Sequence, residues 1–447
     1  MLLGELMPVR LGVIADDLTG ANDTGVQFAQ QGARTIVPLD WHDLTLLARH
    51  ADVLVLSTDS RALPPGAAAQ RAKLAAQALR KARVPAIYKK IDSTFRGNVG
   101  AELDAILDIY RTHLVAVAPS FPPAGRAVIN GILTVHGVPV HRTSIARDPV
   151  SPVRQSHLPT LLRAQSRRKI YGLPLDTLRA RWPHAVRVLQ AWGQSEAGII
   201  VADAETPADL RRLARLIACA HLLDVVVGSA GLASALGRTL SWRRGPLGRF
   251  TPAKHPVLVV VGSPNPASLA QIAVLKNRHA TTTIRAEIRE ILAGMERFRK
   301  ELDRVLTTAL VEARAGHDVV VTLVQESDGR PDPRSPRASA RRKRVRALPP
   351  SASGTLSEFL GRVARDLSRK TRLGGLVLCG GDIAVATCRA LGADGIILAG
   401  EVQPGVPWGR LVGGERHDLP VVTKAGGFGR PDVFRAALRF LRPRRTR

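Results

Sequence analysis

Leu11-Gly-Val-Ile-Ala-Asp-Asp-Leu-Thr-Gly-Ala-Asn-Asp23 is the stretch from which the organisation of this chain can be read. The apolar run Leu11–Ile14 is cut off by Asp16, Asp17 and Gly20, the pattern of a buried strand that ends in a loop. In open α/β sheets, ligands bind beyond the carboxyl ends of the strands. Two adjacent carboxylates there, with Thr19, Asn22 and Asp23 following, are costly near a core unless something pairs with them. A hydroxylated ligand or a bound cation would do so. The plainer alternative is that Asp16 or Asp17 caps the next helix.

The same pattern recurs. Val53–Leu56 runs into Ser57-Thr-Asp-Ser-Arg61, and Ala86–Tyr88 into Lys89-Lys-Ile-Asp-Ser-Thr-Phe-Arg-Gly-Asn98. Leu114–Ala118 leads to Pro119-Ser-Phe-Pro-Pro-Ala-Gly-Arg126, Gly198–Val201 to Asp203, and Val225–Val227 to Gly228-Ser-Ala-Gly231. Stretches with helical spacing, such as Ala67–Arg83 and Pro207–Ala220, separate most of them. Strands alternating with helices predict parallel βαβ units, so the polar tips converge on one sheet edge. That edge is the candidate site.

At 447 residues the chain exceeds what one core supports, so two domains are expected. Residues 1–236 form the first α/β set. Residues 237–255, rich in Gly, Pro and Arg without an apolar period, read as a linker. A second set spans 256–440, with strands expected at Pro256–Val261, Val319–Val324, Leu376–Leu378, Ile396–Leu398 and Val421–Val422. Within it, the basic, proline-spaced stretch 326–350 reads as an exposed loop.

No apolar run approaches the roughly 20 residues of a membrane span, and the start lacks the regions of a signal peptide. Cys219, Cys379 and Cys388 have no zinc-type spacing and fit a reducing cytoplasm, which is the expected location. The formal net charge of +28 suggests nucleic-acid binding. The arginines, however, are spread along helices, aromatics make up only 4%, and no nucleic-acid-binding motif is present. Nucleic acid is therefore not an expected partner, and anionic small molecules are a better use of local positive charge.

The second set has polar tips of its own: Gly262-Ser-Pro-Asn-Pro-Ala-Ser268, Gly380-Gly-Asp-Ile383 and Lys424-Ala-Gly-Gly-Phe-Gly429. A strand, a glycine loop and a helix N-terminus together present free backbone amides to phosphate, and Lys424 would neutralise charge. None of the three is a Walker A loop or a GxGxxG fingerprint.

Together these blocks resemble the four-carbon acid sugar kinases, which include D-threonate, D-erythronate and 3-oxo-tetronate kinases. The resemblance covers nearly the whole chain and rests on Ala15–Asp23, Lys89–Asn98, Pro119–Arg126, Gly228–Leu232, Gly262–Ser268, Gly380–Asp382 and Lys424–Gly429, in the family's order. It implies an ATP-dependent enzyme that phosphorylates the terminal hydroxyl of a sugar acid. The N-terminal domain would hold the acid, the C-terminal domain ATP with Mg2+, and the active site would lie in the interdomain cleft. Asp16, Asp17, Asp59, Arg61, Asn98 and Arg126 are then placed around the substrate. Asp92, Asp17, Arg96 and Lys90 take the chemistry, with Asp92 or Asp17 as base and Arg96 or Lys90 offsetting charge. Arg96 is also a candidate to hold the acid's carboxylate with its rigid fork of donors. An internal pair of Arg96 with Asp92 or Asp17 is the structural alternative.

By the same resemblance, Ser263, Gly380, Gly381, Asp382, Ile383, Lys424, Gly426 and Gly427 line the nucleotide, and Asp382 is the candidate metal ligand. Two departures stand out. Ile383 occupies a position usually held by a hydroxyl residue, and Pro264 and Asn265 stand where serine and cysteine are usual. Two competing functions remain open at this level: a kinase for another small hydroxy acid or sugar, and a non-catalytic anion- or nucleic-acid-binding relative. A homo-oligomer is among the assembly states left open.

Overall fold

The computed structural model describes residues 10–148, 150–195, 197–243, 250–263, 265–275, 280–323 and 350–442. Pro264 and the basic stretch 326–349 lie outside them. The chain divides into two compact units, Met1–Gly248 with Ile397–Gly400, and Arg249–Ile396 with Glu401–Arg447.

The first unit holds strands β1 (Leu11–Ala15), β2 (Thr35–Pro38), β3 (Val53–Ser57), β4 (Ala86–Lys90), β5 (Leu114–Ala118), β9 (Lys169–Leu173), β10 (Gly198–Ala202) and β11 (Val225–Gly228). They line up in the order β2-β3-β1-β4-β11-β5-β10-β9, with every pair parallel. All the carboxyl-end tips therefore share one edge, as the alternating pattern predicted. A small antiparallel sheet of β6 (Arg126–Ile129), β7 (Ile132–Val135) and β8 (Val138–Pro139) follows β5.

The central strands are buried on both faces, which is why they read as apolar runs rather than alternating ones. Helices Pro65–Lys81 and Val99–Tyr110 pack together on one face. Gly12 of β1 leaves room there for Leu79, since a Cβ at Gly12 would lie 2.6 Å from its Cδ1. Helices Leu18–Gln30 and Ala230–Thr239 pack together on the other, with Phe28 edge-on to Tyr88 at 5.7 Å. Strand β4 is longer than its apolar run, because Lys89 and Lys90 continue it rather than opening the loop. This places the two lysines on opposite faces of the sheet.

In the second unit, β13 (Thr281–Arg285), β14 (Asp318–Thr322), β12 (Val257–Val261), β15 (Gly375–Cys379) and β18 (Pro420–Lys424) are parallel neighbours in that order. The antiparallel β17 (Val406–Val412) follows β18, and β16 (Gly395–Gln403) lies beside β17. The core gathers Val257, Val259, Val261, Val320, Val377 and Val422 under Phe434 and Leu438 of helix Val433–Leu441. The protein is thus an α/β chain of two domains, each a mostly parallel sheet flanked by helices.

Candidate functional site

At the edge of the first unit, the carboxylates of Asp16 and Asp17 are paired by a side chain from the next tip along. Arg61 forks onto both: Nε and Nη2 donate to Asp16 at 2.7 and 2.9 Å, and Nη1 and Nη2 donate to Asp17 at 3.0 and 2.8 Å. The partner that the sequence left as a hydroxylated ligand or a cation is therefore a guanidinium within the protein. The loop after β3 brings it there, because Ser60 N and Arg61 N both donate to the Asp16 carbonyl. Asp17 is also the helix cap, accepting from Gly20 N at 3.0 Å.

A second fork lies alongside. Arg96 Nε and Nη2 donate to the two oxygens of Asp92 at 3.2 and 2.9 Å, and Nη1 reaches Asp148 at 3.2 Å. Asp92 also accepts from Thr94 N and Thr94 Oγ1, which sets the turn that carries Arg96. Arg61 Nη1 stands 3.9 Å from Asp92 and links the two forks. Burial pushes the Asp92 carboxyl up, but the bond and charge of Arg96, the charge of Arg61 and the Thr94 bond hold it well below the usual carboxylate range. Asp16 likewise ends below that range, with burial opposed by Arg61, Lys89 and Lys90. Both are firmly ionised acceptors. Arg96 is committed to internal pairs, and to grip a carboxylate in a fork it would have to release one of them.

Lys89 and Lys90 have different surroundings. Lys89 pairs with Glu102 at 2.5 Å with both side chains 1% exposed. Glu102 also accepts from Ser60 Oγ, which touches Thr58 Oγ1, which donates to the Ala15 carbonyl. This buried chain braces the tips of β1 and β3 from below. Lys90, on the other face, has no hydrogen bond or ion pair among the described residues. Asp23, in the helix after Asp17, is similarly uncommitted; burial raises its carboxyl, opposed by the charge of Lys90 and reinforced by Asp17.

The other expected substrate residues are less central. Asp59 is exposed at φ +50°, and no bond among the described residues ties its carboxylate to the forks. Asn98 Nδ2 donates to the Leu63 carbonyl at 2.8 Å. Arg126 starts β6 and donates to the Ala124 carbonyl of its own turn. A recess of about 200 Å³ lies behind Arg61, lined by Asn98, Ser151 and Gln165. The amides of Asn98 and Gln165 are used structurally there, on Leu63 O and Gly100 N.

In the second unit the loops after β12, β15 and β18 sit on one edge, since these strands are parallel neighbours. Gly380 caps helix Gly381–Ala390 at φ +112°, a conformation that suits glycine. The amides of Gly381, Asp382 and Ile383 head this helix without an intrahelical acceptor. Ser263 comes up against Gly426, where a Cβ would lie 2.0 Å from its Oγ. Asn265 caps helix Pro266–Ala273 by accepting from Ala267 N at 2.9 Å.

Two expected nucleotide residues turn inward. The Ile383 side chain is buried beneath Gly262, whose absent Cβ would meet its Cδ1 at 2.5 Å. What Ile383 can offer a phosphate is its backbone amide. Lys424 is 3% exposed and donates to Cys379 Sγ and the Gly426 carbonyl at 3.2 and 3.1 Å, so its charge supports the loop from below. Among the described residues no group of three or more His, Cys, Asp or Glu is placed to hold a metal. Asp382 is exposed beside the free amides. A lone carboxylate suits a magnesium ion that arrives on phosphates, which commonly uses one or two carboxylates and keeps its waters.

Comparison with known proteins matches this division. Residues 11–236 fit the family model of a sugar-binding N-terminal domain, and residues 258–434 that of a nucleotide-binding C-terminal domain. A D-threonate kinase of Bordetella bronchiseptica is 38% identical over 97% of this chain and 98% of its own length. A D-threonate kinase of Salmonella typhimurium is 35% identical over the same shares. The chain belongs to the four-carbon acid sugar kinase family. A D-erythronate kinase of Heliobacterium modesticaldum, 33% identical over 94% of both chains, lies within the same group. The fold is shared with a crystal structure of a Haemophilus influenzae protein, with a TM-score of 0.77 at 23% identity over 96% of this chain and 100% of that one.

As a member of this kinase family the protein is a phosphotransferase. Several residues that shape its two edges were not singled out from the sequence. Asp148 holds Arg96 from a loop with no motif of its own, and Glu102 neutralises Lys89 from the first turn of helix Val99–Tyr110. In the second unit, Gln271 Nε2 donates to the carbonyls of Phe428, Gly429 and Arg430 at 3.0, 3.0 and 3.2 Å. Ser268 Oγ donates to the Gly426 carbonyl at 2.7 Å.

Proposed function

We propose that this kinase transfers the γ-phosphoryl group of ATP, with Mg2+, to the terminal C4 hydroxyl of a four-carbon sugar acid: threonate, erythronate or 3-oxo-tetronate. The observation that carries this reading is the pair of arginine forks at the first-unit edge. Arg61 and Arg96 fix the carboxylates of Asp16, Asp17 and Asp92, and those of Asp16 and Asp17 keep lone pairs to spare, an arrangement suited to a polyhydroxylated ligand. The names of the relatives support the four-carbon acid as its class. In the second unit the amides of 381–383, Ser263 and the glycines 426 and 427 suit phosphates, and Asp382 would hold the magnesium ion, which supplies charge neutralisation.

In the transfer, the C4 oxygen forms a bond to the γ-phosphorus as the bond to the β,γ-bridging oxygen breaks. ADP takes the electron pair, and the hydroxyl proton passes to a carboxylate or to water. A loose transition state asks for orientation more than for a strong base. Asp92, held well below the carboxylate range, suits that orienting role, with Asp17 as the alternative. The test is ADP release with Mg2+ and ATP across D- and L-threonate, D- and L-erythronate and their 3-oxo forms. One acid standing well above the rest supports the reading and names the substrate; silence across the panel with ATP binding intact would sink it.

A further inference from the structure

Lys90 is the cationic side chain at this edge that the fold leaves without a partner. The residue is only 5% exposed, yet no hydrogen bond or ion pair engages its side chain among the described residues. An ammonium largely withdrawn from water without a bonded counter-charge is costly. Its neighbours Arg61, Arg96 and Lys89 each hold a carboxylate at bonding distance. The charge of Lys90 acts on Asp16 and Asp23 without bonding to either.

Its position adds a second cost. A Cβ on Gly20 would lie 2.6 Å from Lys90 Nζ and 2.5 Å from Asp17 Oδ1, so the ammonium rests against the first turn of helix Leu18–Gln30 because residue 20 is glycine. A cation at a helix N-terminus opposes the positive end of the helix dipole. Asp17 takes the Gly20 amide, which leaves those of Leu18 and Thr19 without an intrahelical acceptor. A largely buried ammonium resting against a helix end whose first amides lack an intrahelical acceptor suits an anion.

Two anions take part in the proposed reaction: the carboxylate of the acid and the phosphoryl group in transfer. We infer that Lys90 and the first turn of helix Leu18–Gln30 hold the substrate's carboxylate, and so make the enzyme select acids over the matching alditols. This rests on the function proposed above. It assigns to Lys90 the role that the committed fork of Arg96 cannot take without breaking an internal pair. Asp17, at the same helix turn, then lies within reach of the neighbouring hydroxyls.

The test compares the full-length wild type with Lys90→Met, using the best acid of the panel and the alditol of the same carbon skeleton. A charged hydrogen-bonding partner lost from a buried site predicts a rise of roughly 10- to 100-fold in KM for the acid. The loss should be expressed in KM more than in kcat, with acid-over-alditol preference falling by a similar factor. Lys90→Arg should recover part of it. Gly20→Ala, which displaces the ammonium without removing it, should show the same signature on a smaller scale and guards against misfolding of the methionine variant. A loss confined to kcat, with KM unaltered, would assign Lys90 to the transferring phosphoryl group and overturn the inference. Calorimetric titration of the acid without nucleotide separates the two readings. Equal acid affinity in wild type and Lys90→Met refutes the role of Lys90, whereas acid binding without turnover of any acid refutes the kinase substrate instead.

Discussion

Arg61→Ala should damage the first unit twice, in stability and in the ionisation of its site. The guanidinium makes four bonds of 2.7–3.0 Å to Asp16 and Asp17. The Arg61 and Asp16 side chains are 17% and 5% exposed, so the pair is largely shielded from water. Removing one partner of such a pair costs about 3–5 kcal/mol, because the remaining carboxylates stay in place uncompensated. For a domain of this size that is roughly 10 °C in Tm. Arg61→Lys should restore only part of it, since an ammonium cannot reproduce the fork.

The pH dependence gives a sharper signature. In the wild type the Asp16 carboxyl lies below its unfolded value, so its contribution is present above that value and is lost as pH falls through the folded one. In the variant, burial is opposed only by the lysines, and the carboxyl moves up. Protonation then relieves the variant over a range in which the wild type keeps its Asp16 contribution, so the Tm gap should narrow from about pH 7 to about pH 4.5. Scanning calorimetry of the first unit's transition across that range reads both effects. A gap below about 2 °C at neutral pH, or one that stays constant on acidification, would refute the reasoning.

Glu102→Leu leaves the Lys89 ammonium buried alone and should cost about 3–5 kcal/mol, while the double variant with Lys89→Met should recover most of it; additive losses in a thermal-unfolding cycle would contradict this. Asp92→Asn and Asp17→Asn should each lower turnover by about 100-fold or more, the scale of a positioned proton acceptor. Near-normal ADP release from both would remove these residues from the mechanism. Gln271→Leu frees three loop carbonyls and should weaken ATP binding several-fold at a stability cost of about 1–3 kcal/mol. Titration of both ligands checks this, since affinity for the sugar acid should not change.

Much of the fold was legible because its decisive elements are local. The buried strands β1, β3, β5, β10, β11, β12 and β15 stand out as apolar runs, each soon followed by polar, proline or glycine residues. The partly exposed strands β9, β13 and β17 were not picked out, because a half-buried strand mixes polar and apolar residues. The short β2 was passed over as well. The sequence pattern ends β4 at Tyr88 because lysine is rarely buried, whereas the strand runs on through both lysines.

The sequence by itself determined the class of the fold, the family, and, within each unit, the edge on which its carboxylates or its glycine loops gather. Those features are written in hydrophobic runs, turn residues and motifs a few residues long. Only the tertiary structure decided which charges neutralise one another. Arg61 reaches Asp16 across 45 positions and Glu102 pairs with Lys89 from the helix after β4, while Lys424 and Ile383 turn beneath their loops. Spacing along a chain does not encode such pairings. They follow from which strands become neighbours and which face of each strand meets which helix, and that assignment leaves the ammonium of Lys90 without a bonded partner among the described residues.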